Sequence, residues 1–127
     1  IAQPEMIKAL LKLRAPFNIT NLTLKAAIVA LSDEAFVHNS VKENFEQMEA
    51  YEAFAKELGF EFISSYTNFI TLEFDASKNS SLIAQKLMEK GIIVRNLGAY
   101  GMNAIRVTIG TPEQNVRFFE LFKTVYM

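Results

Sequence analysis

Two arginines lie within short apolar segments of the sequence, one on each side of a glycine-containing loop. Arg95 ends the segment IIVR at residues 92–95, and Arg106 is inside the segment IRVTI at residues 105–109. A guanidinium in an otherwise buried strand is costly unless its charge meets an anion. Its planar fork fits a carboxylate or a phosphate. The two arginines therefore predict an anion-binding site. The alternative is that both face solvent or pair with nearby glutamates.

Both arginine segments are predicted to be β-strands. The β-branched run Ile92–Val94 is typical of a strand. In the second segment, strict alternation puts three aliphatic side chains on one face, with Arg106 and Thr108 on the other. Arg106 should therefore project away from the core, whereas alternation leaves the direction of Arg95 open.

The pattern after residue 59 predicts the order strand, strand, helix, strand, strand, helix. The first two strands are expected at residues 60–63 and 68–74, and the first helix at 81–90. Thr111, Pro112 and Gln114 have the spacing of a capping box that begins the last helix. We expect an α/β domain of the small α+β type, with a mostly antiparallel sheet and both helices on one face. Arg95, Arg106 and Thr108 would lie on the uncovered face, where a ligand or a partner domain belongs.

Long connecting helices are predicted before this sheet. Residues 22–31 are apolar around the whole helix, which indicates either a central core helix or packing against another domain or subunit. The next helix has an apolar stripe from Val37 to Leu58 and would span about 39 Å, longer than a small domain needs. We therefore divide the chain into connecting helices at 1–31 and a C-terminal small domain at 32–127.

The composition disfavours several classes of protein. The chain has 127 residues, of which half are hydrophobic, so it can fill a core. A net charge of −1 disfavours a nucleic-acid partner, and Phe69 is the only aromatic residue expected on the open sheet face. Without cysteine and with His38 alone, the sequence offers no metal site, and it is compatible with a reducing cytosol. We expect no membrane span. Because the first residue is not methionine, we expect a piece of a longer protein.

Several segments resemble pyridoxal-phosphate aminotransferases of fold type I. RAPFNI at residues 14–19 is similar to the family's R-x-P-[FY]-N-[VIL]. GIIVR at 91–95 and IRVTIGT at 105–111 resemble the G-[IVF]-[IL]-[VL]-R and [IL]-R-[IV]-[ST]-[IV]-G-T segments of its histidinol-phosphate branch. TPEQN at 111–115 is similar to T-x-E-[EQ]-N, and NF at 68–69 resembles the start of the inner strand. The resemblance runs over the whole chain, and the arginine segments are the most specific to the branch.

This resemblance implies the C-terminal portion of a homodimeric cytoplasmic enzyme, with residues 1–31 in the large-domain and dimer region. In the family, the arginine of the last strand grips the acidic end of the substrate, and Arg106 matches it. In the branch, the earlier arginine reaches the phosphate, and Arg95 matches that one. The implied reaction is amino transfer between L-histidinol phosphate and 2-oxoglutarate, a step of histidine biosynthesis.

The residues that bind the cofactor in this family do not occur in the sequence. No lysine stands in the family's S-K-x-x-G-L-x-G-[LI]-R context. Pyridoxal phosphate would therefore be bound outside this chain, and we assign no catalytic, cofactor-binding or metal-binding residue within it. Because the proton transfer of transamination needs that lysine, we expect the isolated chain to be inactive.

Two other functions stay open from the sequence. Another class I/II aminotransferase, acting on aromatic amino acids, would use a carboxylate-gripping arginine equally well. A free-standing regulatory module could bind a small acid on its sheet without any cofactor. The residues upstream of the chain would discriminate between these functions.

Overall fold

The computed structural model describes residues 2–14 and 19–127. The chain divides into two compact units, residues 1–37 and 38–127. Most of the RAPFNI motif falls on residues 15–18, which lie outside the described part. Among the described helices, none is both long and apolar enough to cross a membrane.

The first unit contains two helices and the start of a third. Helix α1 is Pro4–Leu13 and helix α2 is Asn21–Ala30. Thr20 caps α2, because its hydroxyl accepts a hydrogen bond from the Thr23 N–H at 3.1 Å. Every residue of α2 is exposed, and Leu22 reaches 79%. The alternative that α2 is a central core helix is therefore wrong for this chain.

Helix α3 extends from Glu34 to Leu58 and belongs to both units. Asp33 begins it by accepting a hydrogen bond from the Phe36 N–H at 3.0 Å. Only its C-terminal half enters the core, through Met48, Tyr51, Phe54 and Ala55. The first residues of the predicted apolar stripe are exposed, namely Val37, Val41 and Phe45. The stripe therefore has the predicted spacing, but its first half is not buried by this chain.

The second unit is built on a four-stranded antiparallel sheet. Its strands are β1 (Glu61–Ile63), β2 (Phe69–Glu73), β3 (Arg95–Asn96) and β4 (Ala104–Thr108), in the order β1-β2-β4-β3. Helix α4 (Ser80–Glu89) connects β2 to β3, and helix α5 (Pro112–Tyr126) follows β4. The predicted small α/β domain is confirmed.

Alternation along the strands separates a covered face from an open one. Ile70 pairs with Val107 and Leu72 with Ile105, and these side chains join residues of α3, α4 and α5 in one core cluster. All three helices therefore pack on this side of the sheet. We call the other side the open face; its strand residues are Glu61, Ile63, Phe69, Thr71, Glu73, Arg95, Ala104, Arg106 and Thr108. None of these belongs to the core cluster found in the described residues.

One predicted strand is wrong over most of its length. Ile92–Val94 is irregular, and β3 contains only Arg95–Asn96. The reason is the way in which α4 ends: Gly91 takes a positive φ of 81°, and the Ile92 N–H donates to the Leu87 carbonyl at 2.9 Å. The Ile92 N–H therefore completes the last turn of α4 and is not available to pair with a strand. Ile92 and Val94 pack against the core, whereas Ile93 between them is exposed, so this run does not pair as a strand.

Helix α5 begins as predicted. The Thr111 hydroxyl accepts a hydrogen bond from the Gln114 N–H at 3.4 Å, and the Gln114 side chain accepts one from the Thr111 N–H at 3.0 Å. Pro112 occupies the first turn. This capping box fixes the point at which the chain turns from β4 into the helix.

A buried asparagine, Asn115, fixes the end of β4. Its Oδ1 accepts a hydrogen bond from the Gly110 N–H at 3.0 Å, and its Nδ2 donates to the Gly110 carbonyl at 2.9 Å. The same amide group donates to Gln47 at 2.9 Å and accepts from the Tyr51 hydroxyl at 3.2 Å. A Cβ on Gly110 would lie 2.6 Å from the Gln114 Oε1 and 3.1 Å from its Cβ, so a larger residue here would displace the Gln114 side chain that completes the capping box. We call this network the Asn115 latch; it ties β4 to α3 and α5.

Replacing Tyr51 with phenylalanine should lower the free energy of unfolding by about 1 kcal/mol at neutral pH, because one buried hydrogen bond is lost. Burial raises the pKa of the Tyr51 phenol. The unfolded chain therefore ionises near pH 10, while the folded chain keeps the proton. The stability that this group contributes is complete below that pH and is lost as the pH rises above it.

The stability difference between the native chain and Tyr51→Phe should consequently shrink from about pH 10 upward. Urea unfolding of both proteins across a pH series measures this. A difference that stays constant to pH 11 would contradict the buried, neutral phenol.

Candidate functional site

Strands β3 and β4 place the two arginines directly opposite each other. Arg95 pairs with Arg106 in the antiparallel register. Residues paired in this way project to the same face, with Cβ atoms about 4.5–5.5 Å apart. Both side chains therefore leave the sheet on the open face, which settles the direction of Arg95 that alternation left open. Thr71 of β2 is opposite Arg106 on its other side.

Neither guanidinium is neutralised within the described residues. The ion pairs found there all involve lysine, namely Lys42–Glu46, Lys56–Glu52 and Lys123–Glu57. Glu73 also lies on the open face, diagonal to Arg106, but forms no ion pair with it. Like charges directly opposite each other destabilise a sheet. A bound anion would remove this repulsion, and two guanidinium forks can donate to it together.

The two arginines differ in their surroundings. Arg106 is half-buried, and its guanidinium carbon is 4.7 Å from the centre of the Phe69 ring. This distance is within the range of a cation–π contact. Arg95 is exposed and lies on the edge strand β3. The site therefore combines one guanidinium that contacts an aromatic ring with one that is exposed to solvent.

Asn96 holds the short strand that carries Arg95. Its Nδ2 donates to the Ser81 hydroxyl at 2.8 Å. Its Oδ1 accepts from the Gly98 N–H at 2.9 Å and from the Ser80 hydroxyl at 3.3 Å. These bonds tie β3 to the start of α4. A strand of two residues is thus positioned mainly by one side chain.

Sequence reasoning missed both positioning asparagines. Asn96 and Asn115 make their bonds to residues brought close by the fold, as well as to neighbours in sequence. The available signals were weak: Asn96 lies two residues before Gly98, and Asn115 lies in the first turn of α5, within the TPEQN segment. Asparagine is frequent in turns and near helix starts, so neither position indicates a buried network by itself.

The open face offers hydroxyl groups but no amine. Thr71 is only 9% exposed, and Thr108 is exposed at the end of β4. No lysine occurs among the residues of the described strands, so the face lacks a group that could form a Schiff base with a carbonyl. Within the same residues, no group of three histidines or carboxylates is arranged to hold a metal ion. This face can bind and orient an anion, and nothing on it would react covalently with a carbonyl.

A groove of about 590 Å³ lies at the end of β2 and β4. It is lined by α3 between Ser40 and Phe45, by the β1–β2 connection at residues 66–68 and by residues 109–111 after β4. Neither arginine lines it. The arginine pair is therefore on the open face and not in this groove.

The second unit thus has an antiparallel sheet with helices on one face and, on the other, two arginines without a counter-ion among the described residues. The model of the aminotransferase class I and II family matches residues 1–121, so the chain belongs to that family. The histidinol-phosphate aminotransferase of Campylobacter hominis is 55% identical over 120 residues, covering 94% of this chain and 33% of that protein. The enzyme of the same name from Sulfurimonas denitrificans is 59% identical over 121 residues, covering 95% and 33%.

Solved structures of this fold agree with the architecture. The histidinol-phosphate aminotransferase from Clostridium acetobutylicum superposes with a TM-score of 0.76 at 20% identity, over 88% of this chain and 35% of that one. The one from Sinorhizobium meliloti, in complex with pyridoxal-5'-phosphate, gives 0.69 at 24%, over 95% and 35%. At these identities the likeness shows the fold alone. The chain spans about a third of the length of the curated relatives it matches.

Inorganic phosphate should stabilise this chain against heat. An anion bound between Arg95 and Arg106 relieves their repulsion, and at ten times its dissociation constant it should raise Tm by about 5 °C. Differential scanning calorimetry in phosphate, against chloride of equal ionic strength, measures this.

The control variants separate this site from general salt effects. A double Arg95→Gln, Arg106→Gln variant should lose the phosphate-specific rise, whereas Arg117→Gln on α5 should keep it. An equal rise in all three proteins would show that phosphate acts elsewhere.

Proposed function

We propose that this chain is the substrate-anchoring part of a histidinol-phosphate aminotransferase. That enzyme would transfer an amino group between L-histidinol phosphate and 2-oxoglutarate with pyridoxal phosphate as cofactor. The observation that carries the proposal is the pair Arg95 and Arg106, opposite each other on the open face without an internal counter-ion. The relatives at 55% and 59% identity support this substrate over an aromatic amino acid.

The two substrates explain why two arginines are needed. L-histidinol phosphate presents a phosphate, and 2-oxoglutarate presents carboxylates, so one site must hold both kinds of anion in turn. A guanidinium fork fits either geometry. Arg106 would grip the acidic end of the substrate, and Arg95 would reach the phosphate. The exposed position of Arg95 on the edge strand suits a site whose ligand changes size.

The cofactor would be held by residues outside this chain. No lysine of the described strands lies on the open face. Pyridoxal phosphate supplies an electron sink for amino transfer. The residues of this chain would hold the substrate's acidic end, orient its reacting carbon toward the cofactor and leave proton transfer to a lysine elsewhere in the enzyme.

Residues 1–31 would form the region that meets the large domain and the partner subunit of a homodimer, and residues 32–127 the small domain. All of α2 is exposed although most of its side chains are apolar. Exposed apolar patches of several hundred Å² are unusual in monomers. A cytoplasmic location fits the absence of cysteine.

Arg106→Lys in the full-length enzyme should reduce kcat/KM by roughly ten- to a thousand-fold, because lysine keeps the charge but loses the two-pronged fork. The loss should be mostly in substrate affinity, with Tm barely changed. Steady-state kinetics with L-histidinol phosphate measures it, and Arg117→Lys is the matched control. If Arg106→Lys lowers Tm while leaving the kinetic constants unchanged, the arginine is structural and the assignment is wrong.

The isolated chain should not form a specific adduct with pyridoxal phosphate. Mixing the two at a low excess of cofactor, reducing with borohydride and weighing the product by mass spectrometry tests this. We expect little modification, scattered over surface lysines. Stoichiometric modification of one lysine would contradict the proposal that the cofactor is bound by residues outside this chain.

A further inference from the structure

Phe69 is a large apolar side chain that the core does not use. It lies on the open face, is half-buried and is the only aromatic residue of the described strands on that side. The ring-to-ring contacts of the described residues involve other side chains, namely Tyr51, Phe54, Phe60, Phe74, Phe118, Phe119, Phe122 and Tyr126. A ring in this place needs another explanation than packing of the hydrophobic core.

The position of the ring is fixed by its strand. Phe69 pairs with Thr108 across β2 and β4, so it is diagonal to Arg106 on the same face. The adjoining Asn68 carbonyl accepts from the Ile109 N–H at 2.8 Å. The ring therefore has a defined site beneath the guanidinium, whose carbon is 4.7 Å from its centre.

Stacking restrains a guanidinium without using its donors. The guanidinium carbon lies over the ring, and an aromatic ring does not take up the five N–H donors as a carboxylate would. A carboxylate partner would have occupied those donors and competed with the ligand. Phe69 also opposes the repulsion from Arg95, which would otherwise drive the Arg106 side chain away from the site. A side chain that is already restrained loses less conformational entropy when it binds.

We infer that Phe69 is a positioning residue, whose ring holds the Arg106 guanidinium in place and leaves its fork free for the acidic end of the substrate. This inference rests on the proposed function of Arg106. It predicts that Phe69 acts on substrate affinity through Arg106 and contributes little to the stability of the sheet.

The test uses Phe69→Leu, Phe69→Met and Phe69→Tyr in the full-length enzyme. Leucine and methionine keep an apolar side chain but remove the π-face, whereas tyrosine keeps it. Phe69→Leu and Phe69→Met should raise KM for L-histidinol phosphate by roughly three- to thirty-fold, with kcat and Tm little changed. Phe69→Tyr should stay within about two-fold of the native enzyme.

Two controls distinguish the positioning of Arg106 by Phe69 from a general effect of changing the open face. Ile63→Ala removes apolar surface from the same face on β1 and should leave KM unchanged. In an Arg106→Gln background, Phe69→Leu should change KM by less than about two-fold, since no guanidinium is left to restrain.

The outcomes distinguish this inference from the proposed function. If Arg106→Lys does not affect kinetics, the proposed function fails and this inference fails with it. If Arg106→Lys acts as expected but Phe69→Leu changes KM no more than Ile63→Ala, only the positioning role is overturned. A failure of both Phe69→Leu and Phe69→Met to fold would show a structural residue and would also overturn it.

Discussion

The cross-strand pairing of Arg95 with Arg106 is the constraint on which the rest of the second unit depends. Two positive charges opposite each other, without a counter-ion among the described residues, weaken the sheet that carries them. The protein must therefore obtain its stability elsewhere, and it must hold the two short segments in register. Neutralising the two guanidinium charges within the chain would need a larger network of side chains. That network would occupy the N–H donors that a ligand requires.

Stability comes from the opposite face of the same strands. Ile70, Leu72 and Ile105 are completely buried there, against a cluster of aromatic rings from α3 and α5. Phe122 lies 5.4 Å from Phe118, measured between ring centres, and has further ring contacts. Because successive residues of a strand point to opposite faces, a change at an arginine leaves this core intact. Because the two faces are separate, we expect substitutions of the arginines to leave the packing of the core unchanged.

Two asparagines fix the positions of the two strands that carry the arginines. The Asn115 latch anchors β4 beyond Arg106, and Asn96 anchors β3 beside Arg95. Both use side-chain amides that donate and accept at once, which suits a junction where several backbone and side-chain groups converge. Gly110 contributes by leaving room for the Gln114 and Asn115 side chains, whose nearest atoms would lie 2.6–3.3 Å from an added Cβ.

The sequence was sufficient where local chemistry decides the structure. Alternation predicted the face of Arg106, and the capping box predicted the start of α5. The sequence was insufficient where contacts between distant residues decide the structure. The face of Arg95 depends on its register with β4, and the run Ile92–Val94 closes a helix although its composition is typical of a strand. The contact between Phe69 and Arg106 requires the pairing of β2 with β4, which no local pattern encodes.

We propose that Arg95 and Arg106 bind one anion together. The most direct measurement is a titration of this chain with inorganic phosphate, followed by NMR of the arginine Nε–H groups. We expect the signals of both arginines to shift and to saturate with one common Kd, while the signal of Arg117 does not move. Shifts at Arg95 and Arg106 no larger than the shift at Arg117, or saturation with two unrelated Kd values, would contradict it.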